Sequence, residues 1–404
     1  MQRGSTGRFE PSVAHGMTYQ GFVPAPLPPV PSLEWSVALQ EKLDQAHLAL
    51  GRLDSLSTLL PDATMFLYSY VRKEAVLSSQ IEGTQSSLAD LLMFEENAAP
   101  GVPIDDVTEV SCYVAALEHG MARLSQGLPL SSRLICELHA RLMQSGRGAG
   151  KSPRQYRRIQ NWVGGPSLNA ASLVPASPQH VAQCIAELEN FLNDVPVRYA
   201  PLVKAALSHV QFETIHPFLD GNGRVGRLLI PLVLLSEKVL QQPLLYLSLF
   251  FKVHRSRYCE LLTRVRTHGD WEAWLDFFLD AVRLCAAQAV DTARSINQLL
   301  GRDRLRVAAL GRTAASATLV FETLARRPVR SVTSICIETK QSPVTVNTAL
   351  LRLEQTGMVR EMTGKRRGRV FGYSAFLDTL NRDALFDAPA ATPETFNPAF
   401  HAHS

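Results

Sequence analysis

The sequence predicts a mainly α-helical protein: a helical body interrupted by one β-hairpin, followed by a small unit of three helices and a second hairpin. Three observations carry this. Apolar residues recur at spacings of three and four through long stretches of residues 33–300. A segment dense in Gly, Pro, Ser and Asn breaks that period between Gly148 and Pro178. Near the C-terminus a basic turn, TGKRRGR, separates the strand-like pieces REM and VFGYS.

Along the chain, residues 21–32, GFVPAPLPPVPS, hold five prolines, which lack the backbone donor that helices and central strands need. Residues 1–32 are therefore expected to be an extended or disordered segment, with this strap on the surface. Helical periodicity begins in LQEKLDQAHLALGRLDSL and returns in MFLYSYVRKEAVLSSQI, which Gly83 should terminate. Residues 33–125 are read as an N-terminal helical region and 126–285 as the core that carries the chemistry. In that core, Ile159 to Val163 is expected to pair as a strand. A linker helix follows over 286–312, starting near Ala286. Residues 313–382 then run helix, helix, helix, hairpin, an order that resembles a winged helix-turn-helix. Residues 383–404, rich in Ala, Pro and Thr, are expected to be a disordered tail.

Composition excludes several classes of protein. At 404 residues, 46% apolar and 19% charged, the chain suits a multi-domain globular protein. The run Leu228 to Leu235 contains Pro231 and is far shorter than the roughly 20 residues that span a bilayer. MQRGSTGRFEPSVAHGMTYQ has no signal-peptide core. Six cysteines lie singly, without zinc-type spacing. A cytoplasmic location and reduced thiols are the expectation.

Residues 216–227, His-Pro-Phe-Leu-Asp-Gly-Asn-Gly-Arg-Val-Gly-Arg, concentrate the chemistry. Pro217 biases His216 out of the α region, ending the preceding helix and presenting the imidazole at a loop. Asp220 is the hard carboxylate that a phosphate-bound Mg²⁺ takes as a ligand. Gly221, Asn222 and Gly223 can adopt left-handed angles and turn successive N–H groups inward as an anion nest. Arg224 and Arg227 fall three residues apart on one helix face, where both can fork onto phosphate oxygens. A base, a metal ligand, a nest and two cations suit a polyphosphate beside a hydroxyl that attacks phosphorus.

This string resembles the signature of the Fic family, HPFx(D/E)GNGRxxR, and matches it at every specified position. The resemblance runs from about Thr18 to Asp280. It includes YRRIQNWVGG and LVPASP, which look like the family's target-positioning flap. It implies a helical Fic fold and transfer of AMP from Mg·ATP to Ser, Thr or Tyr hydroxyls. His216 is then the general base, Asp220 the metal ligand and Phe218 a core anchor. ATP and phosphate binding falls on Gly221, Asn222, Gly223, Arg224, Val225, Gly226 and Arg227. Similar members often carry two tyrosines where this chain has Tyr258-Cys259, and adenine packing is assigned to Tyr258 on that basis.

Ser78-Ser79-Gln80-Ile81-Glu82-Gly83 resembles the (S/T)xxxE(G/N) inhibitory motif of one class of the family. Ser78 and Glu82 lie one helical turn apart and share a face. The resemblance implies a Glu82–Arg227 ion pair that withdraws the arginine from the γ-phosphate, with Ser78 bonding near Asn222.

From Arg352 to Arg369 six basic residues, Arg352, Arg360, Lys365, Arg366, Arg367 and Arg369, stand against Glu354 and Glu361, a local excess of four. The expected partners are a target protein or the chain itself as hydroxyl donor, DNA or a docked protein at the C-terminal unit, and a second copy in a homodimer. ATP and Mg²⁺ are the expected co-substrate and metal. The competing readings are removal of AMP at the same site and a DNA-binding regulator whose Fic body senses nucleotide.

Overall fold

The computed structural model describes residues 3–14, 16–59, 63–99 and 101–382. The tail expected over 383–404 lies outside the described residues. The chain opens on an antiparallel hairpin, β1 (Gly7–Ala14) and β2 (Met17–Pro24). Helices follow as α1 (Val37–Leu59), α2 (Ala63–Ile81), α3 (Leu88–Glu95), α4 (Ile104–Ser125), α5 (Ser132–Leu142), α6 (Pro178–Leu192), α7 (Pro201–Ile215) and α8 (Asn222–Ser236). The body is completed by α9 (Leu247–Val253), α10 (Arg255–His268) and α11 (Trp271–Ala308). No helix among the described residues is long and apolar enough to cross a membrane.

Residues 7–14 and 17–24 are extended, as expected, but the disordered, surface part of the reading of residues 1–32 needs correction, because much of this segment is paired and packed. Tyr19, Phe22, Val23 and Leu27 are buried. The Phe22 N–H donates to Val174 O at 2.9 Å, and the Arg3 guanidinium donates to Glu272 Oε2 at 2.7 Å. The partners that order the segment lie more than a hundred residues away, which local composition does not reveal. The strand expected at Ile159 to Val163 shrinks to a single antiparallel bridge, Val163 with Leu173. Arg157 Nη2 donates to Ala176 O, and Gln160 Nε2 to Asn161 O and Pro175 O, so side chains here take backbone acceptors in place of a ladder.

The core is built on helix pairs: α1 packs along α11, α7 on α8, α4 on α5 and α2 on α9. Trp274 of α11 is fully buried and its indole N–H donates to Ala206 O at 2.9 Å, tying α11 to α7. The separate linker helix expected from Ala286 is the second half of α11, whose 38 residues run unbroken out of the body. Its buried positions continue at Ala289, Ala293, Ile296 and Leu300, so the apolar stripe never lapses and nothing stops the helix.

The C-terminal unit comprises α12 (Ala314–Arg326), β3 (Val329–Ser331), α13 (Val332–Thr339), α14 (Pro343–Gln355), β4 (Val359–Glu361), β5 (Val370–Tyr373) and α15 (Ser374–Asn381). Its sheet has the order β3-β5-β4, antiparallel throughout. Ser331 and Ser342 cap α13 and α14, each hydroxyl accepting an N–H of the first turn.

Candidate active site

The site forms where α7 ends and α8 begins. His216 closes α7 in the left-handed region, at φ 49° and ψ 60°. That is costly for a residue with a Cβ and persists only where the surroundings hold it. Several contacts do so. The buried Arg157 donates from Nε to His216 O at 3.0 Å, while its own N–H bonds Pro217 O at 2.9 Å. Asn161 Nδ2 and Asn222 Nδ2 both donate to Phe218 O at 2.8 Å, and the Phe218 N–H donates to Asn222 Oδ1. Phe218 is fully buried and stacks on His139 at 3.7 Å; His139 Nε2 lies 3.1 Å from Asp220 O.

Gly221 follows at φ 77° as the N-cap of α8. The first N–H groups of α8 have no partner within the helix and carry the positive end of its dipole. His216, Asp220, Gly221, Asn222, Gly223 and Arg224 line one cavity of about 190 Å³, together with Glu82, Glu109, Arg147 and Val163. Burial pulls the His216 imidazole down to about 4, helped by the charge of Arg157 and opposed by the Glu213 carbonyl, Glu82 and Asp220. The ring is therefore neutral at pH 7, the state a base requires.

Glu82 reaches this cavity from the end of α2. There the Gly83 N–H bonds Gln80 O and the Thr84 N–H bonds Ser79 O, with Gly83 at φ 99°. This paired cap stops the helix and sets Glu82 at its tip. The carboxylate accepts from Arg227 Nη2 at 2.5 Å. Burial pushes Glu82 up, and the charge and hydrogen bond of Arg227 more than reverse this, so its carboxyl stays below the usual range. Ser78 differs from expectation. Its hydroxyl accepts Arg227 Nε at 2.8 Å and its carbonyl accepts Nη2 at 3.1 Å, whereas Asn222 spends its amide on Phe218. The guanidinium presents five N–H donors, more than one carboxylate takes, and Ser78 accepts two of the others.

Arg224 is buried and donates from Nη1 to Glu109 Oε2 at 3.2 Å, with Asp220 Oδ1 3.6 Å from Nη2. Val225 and Gly226 point away from the cavity: Val225 is fully buried, and a Cβ on Gly226 would meet Glu213 Oε1 at 2.3 Å. Tyr258 is the main correction. It lies in the core, with its hydroxyl 2.7 Å from His209 Nε2 and its ring stacked on Phe251 at 4.7 Å. A second cavity of about 420 Å³ shares His216 and Val163 with the first, and Cys259, not Tyr258, lines it beside Leu173, Glu213 and Thr263. Adjacent helical residues face about 100° apart, so Tyr258 and Cys259 cannot both face the cavity.

Sequence reasoning missed Glu109, Arg147, Arg157 and His139 as parts of the site. Arg157 and Asn161 lie within the YRRIQNWVGG string, and Arg147 within the glycine-rich GRGAG. Glu109 gives no local signal, being one acid among several on α4.

The Fic/DOC family N-terminal profile matches residues 40–122, and the Fic/DOC family profile matches residues 129–234. The chain carries both Fic/DOC regions. Among curated relatives, the protein adenylyltransferase Fic of Drosophila erecta is 29% identical over 254 residues, covering 62% of this chain and 47% of the relative. That of Drosophila grimshawi is 31% identical over 219 residues, covering 52% and 40%. The chain thus spans about half the length of the curated relatives it matches, or less. Among solved structures, a Fic family protein from Desulfovibrio desulfuricans G20 aligns at a TM-score of 0.56 and 18% identity, over 85% of this chain and 97% of its own. Fic-1 from C. elegans aligns at 0.50 and 21% identity, over 64% and 73%. These likenesses show that the Fic fold is shared.

Proposed function

We propose that this Fic protein transfers AMP from ATP to a Ser, Thr or Tyr hydroxyl of a protein, itself included, and that Glu82 restrains it. The observation that carries the reading is Arg227: a guanidinium at the nest, on the same helix face as Arg224, engaged by the carboxylate of a separate segment. The Drosophila relatives bear the name protein adenylyltransferase, which supports the same reaction here.

The residues divide the work. The α8 N-terminus with Arg224 and Arg227 binds the polyphosphate and stabilises charge on it. Neutral His216 accepts the hydroxyl proton as that oxygen bonds to the α-phosphorus, and pyrophosphate leaves with the electron pair of the bond that breaks. The second cavity, with apolar walls from Leu173 and Val163, suits the nucleoside. Asp220 fits a nucleotide-borne Mg²⁺: it is a partly exposed carboxylate that lines the cavity, with Oδ2 beside Gly148. No group of three or more His, Cys, Asp or Glu side chains among the described residues could hold a metal alone, so phosphate oxygens would complete the shell. Bound Mg²⁺ would offset phosphate charge.

Glu82 acts by competition, because Arg227 cannot serve the carboxylate and a phosphate together. A shift of about 1.4 kcal/mol in that balance changes the populations tenfold. The test is incubation with α-labelled ATP followed by mass spectrometry. Glu82→Gly should incorporate at least about tenfold more AMP than wild type, and Glu82→Gly/His216→Ala should lose ~10²–10⁴-fold. Equal incorporation by wild type and Glu82→Gly at saturating ATP and Mg²⁺ removes the brake from the account. Lost incorporation in Glu82→Gly, with modified target accumulating, favours removal of AMP.

We also read the C-terminal unit as a winged helix-turn-helix that contacts DNA, with α14 as the recognition helix. The turn between β4 and β5 exposes Lys365, Arg366 and Arg367, and α14 exposes Pro343 and Val344 at its N-terminal end.

A further inference from the structure

We propose that Arg147 is a third phosphate-binding arginine of this site, held ready by Glu109; the inference rests on the nucleotide reading above. Arg147 lines the same cavity as His216, Asp220 and the α8 N-terminus. Its side chain is 55% exposed, whereas those of Arg224 and Arg227 are 5% and 3% exposed. Arg147 Nε donates to Glu109 Oε1 at 2.7 Å, and Nη2 lies 3.2 Å from Asp106 Oδ1. The other Glu109 oxygen accepts Arg224 Nη1. One buried carboxylate thus organises two guanidiniums at one cavity.

The loop is shaped for this. A Cβ on Gly146, at φ 82°, would lie 3.0 Å from Glu109 Cγ, and one on Gly148 would meet Met143 Cε at 2.0 Å and stand 3.5 Å from Asp220 Oδ2. Gly146 thus sits tight against Glu109, and Gly148 sits tight against Met143 and in van der Waals reach of Asp220. Charge points the same way. Of the charged side chains that line the cavity, Glu82, Glu109 and Asp220 face Arg147 and Arg224, so a polyphosphate gains from each cation there once Glu82 leaves. Asp106 also accepts the Gln85 N–H at 2.7 Å, so it keeps a donor when the half-exposed Arg147 turns Nη2 to a phosphate oxygen.

The test uses calorimetric titration of the silent Glu82→Gly/His216→Ala protein with Mg·ATP and with AMP. Adding Arg147→Ala should weaken ATP about tenfold and leave AMP unchanged, with Arg147→Lys between. Unchanged ATP affinity, or an equal loss for ATP and AMP in a protein of unaltered melting temperature, overturns the proposal. Failure of the Arg147-intact parent to bind ATP would overturn the nucleotide reading itself.

A separate set of contacts leads us to infer that the C-terminal unit latches the helix that carries Glu82. On α2, Lys73 Nζ donates to Leu380 O of α15, and the Arg327 guanidinium sits 5.4 Å from the Tyr68 ring. At the end of α3, Glu96 pairs with Arg330 at 3.2 Å and accepts the Ser331 N–H at 2.9 Å and the Ser334 hydroxyl at 2.5 Å; both charged side chains are about nine-tenths buried. Helix α2 is thereby held at Tyr68 and Lys73, and the following α3 at Glu96, while the last turn of α2 delivers Glu82. Loosening the grip should free the brake. Glu96→Ala and Lys73→Ala, which weaken the grip at two separate places, should each raise self-modification several-fold over wild type, and neither should add to Glu82→Gly. No increase from either, while Glu82→Gly is active, overturns the latch; inactivity of Glu82→Gly would instead overturn the brake.

Discussion

A methyl group placed on Gly223 would lie 2.3 Å from Glu82 Oε1 and 3.1 Å from Arg227 Nη1. The carboxylate rests directly on the backbone of the nest, in the space a phosphate would take. Glycine at 223 therefore serves both the resting and the loaded site.

Gly223→Ala should consequently separate the two. The added methyl displaces the end of Glu82, yet it also fills the phosphate position, so the variant should stay at least about 10²-fold below Glu82→Gly in transfer. Self-modification with labelled ATP measures this. Activity equal to Glu82→Gly would move the phosphate away from the nest.

The pH dependence follows from His216. Its proton affinity is lowered to about 4, so the base is competent at neutral pH and is lost only as acid protonates it. In Glu82→Gly, kcat/KM should be flat from pH 6 to 8 with its acid limb well below the ordinary histidine value of about 6.5; losing Glu82 removes a charge that raised it. Arg157→Ala should move that limb upward, since Arg157 helps to hold the proton off. An acid limb at 6.5 or above in Glu82→Gly would contradict the buried, neutral base.

Asp220→Ala should lose transfer by roughly 10²–10³-fold, the equivalent of several kcal/mol of charge stabilisation. The Mg²⁺ concentration giving half-maximal rate should rise with it. A wild-type metal response would show that Asp220 is not the ligand.

Neutralising Arg366, Arg367 and Lys365 should weaken DNA binding and flatten its dependence on salt, by roughly one logarithmic slope unit for each phosphate that is no longer neutralised. AMP transfer should persist in the Glu82→Gly background. Anisotropy titrations at several salt concentrations read both quantities, and absence of DNA affinity at low salt would leave the unit as a protein-docking module.

The residue pattern by itself determined the helical body, the helix–hairpin order of the C-terminal unit and the twelve-residue loop from His216 to Arg227. These are local: helical period, proline after histidine, and glycines that allow left-handed angles all act within a few residues. The pairing of Glu82 with Arg227 was legible too, but only through resemblance, since 145 residues separate the two. Tertiary structure alone decided the rest. It buried Tyr258 against His209 and Phe251 and turned Cys259 to the cavity. It also gave Ser78 to Arg227, and it ordered the proline-rich N-terminus through partners near Val174 and Glu272. Glu109 shows the reason most clearly: a lone acid on α4 becomes the counter-charge of two arginines only because α4, the glycine loop and α8 meet, and no spacing in the chain encodes that meeting.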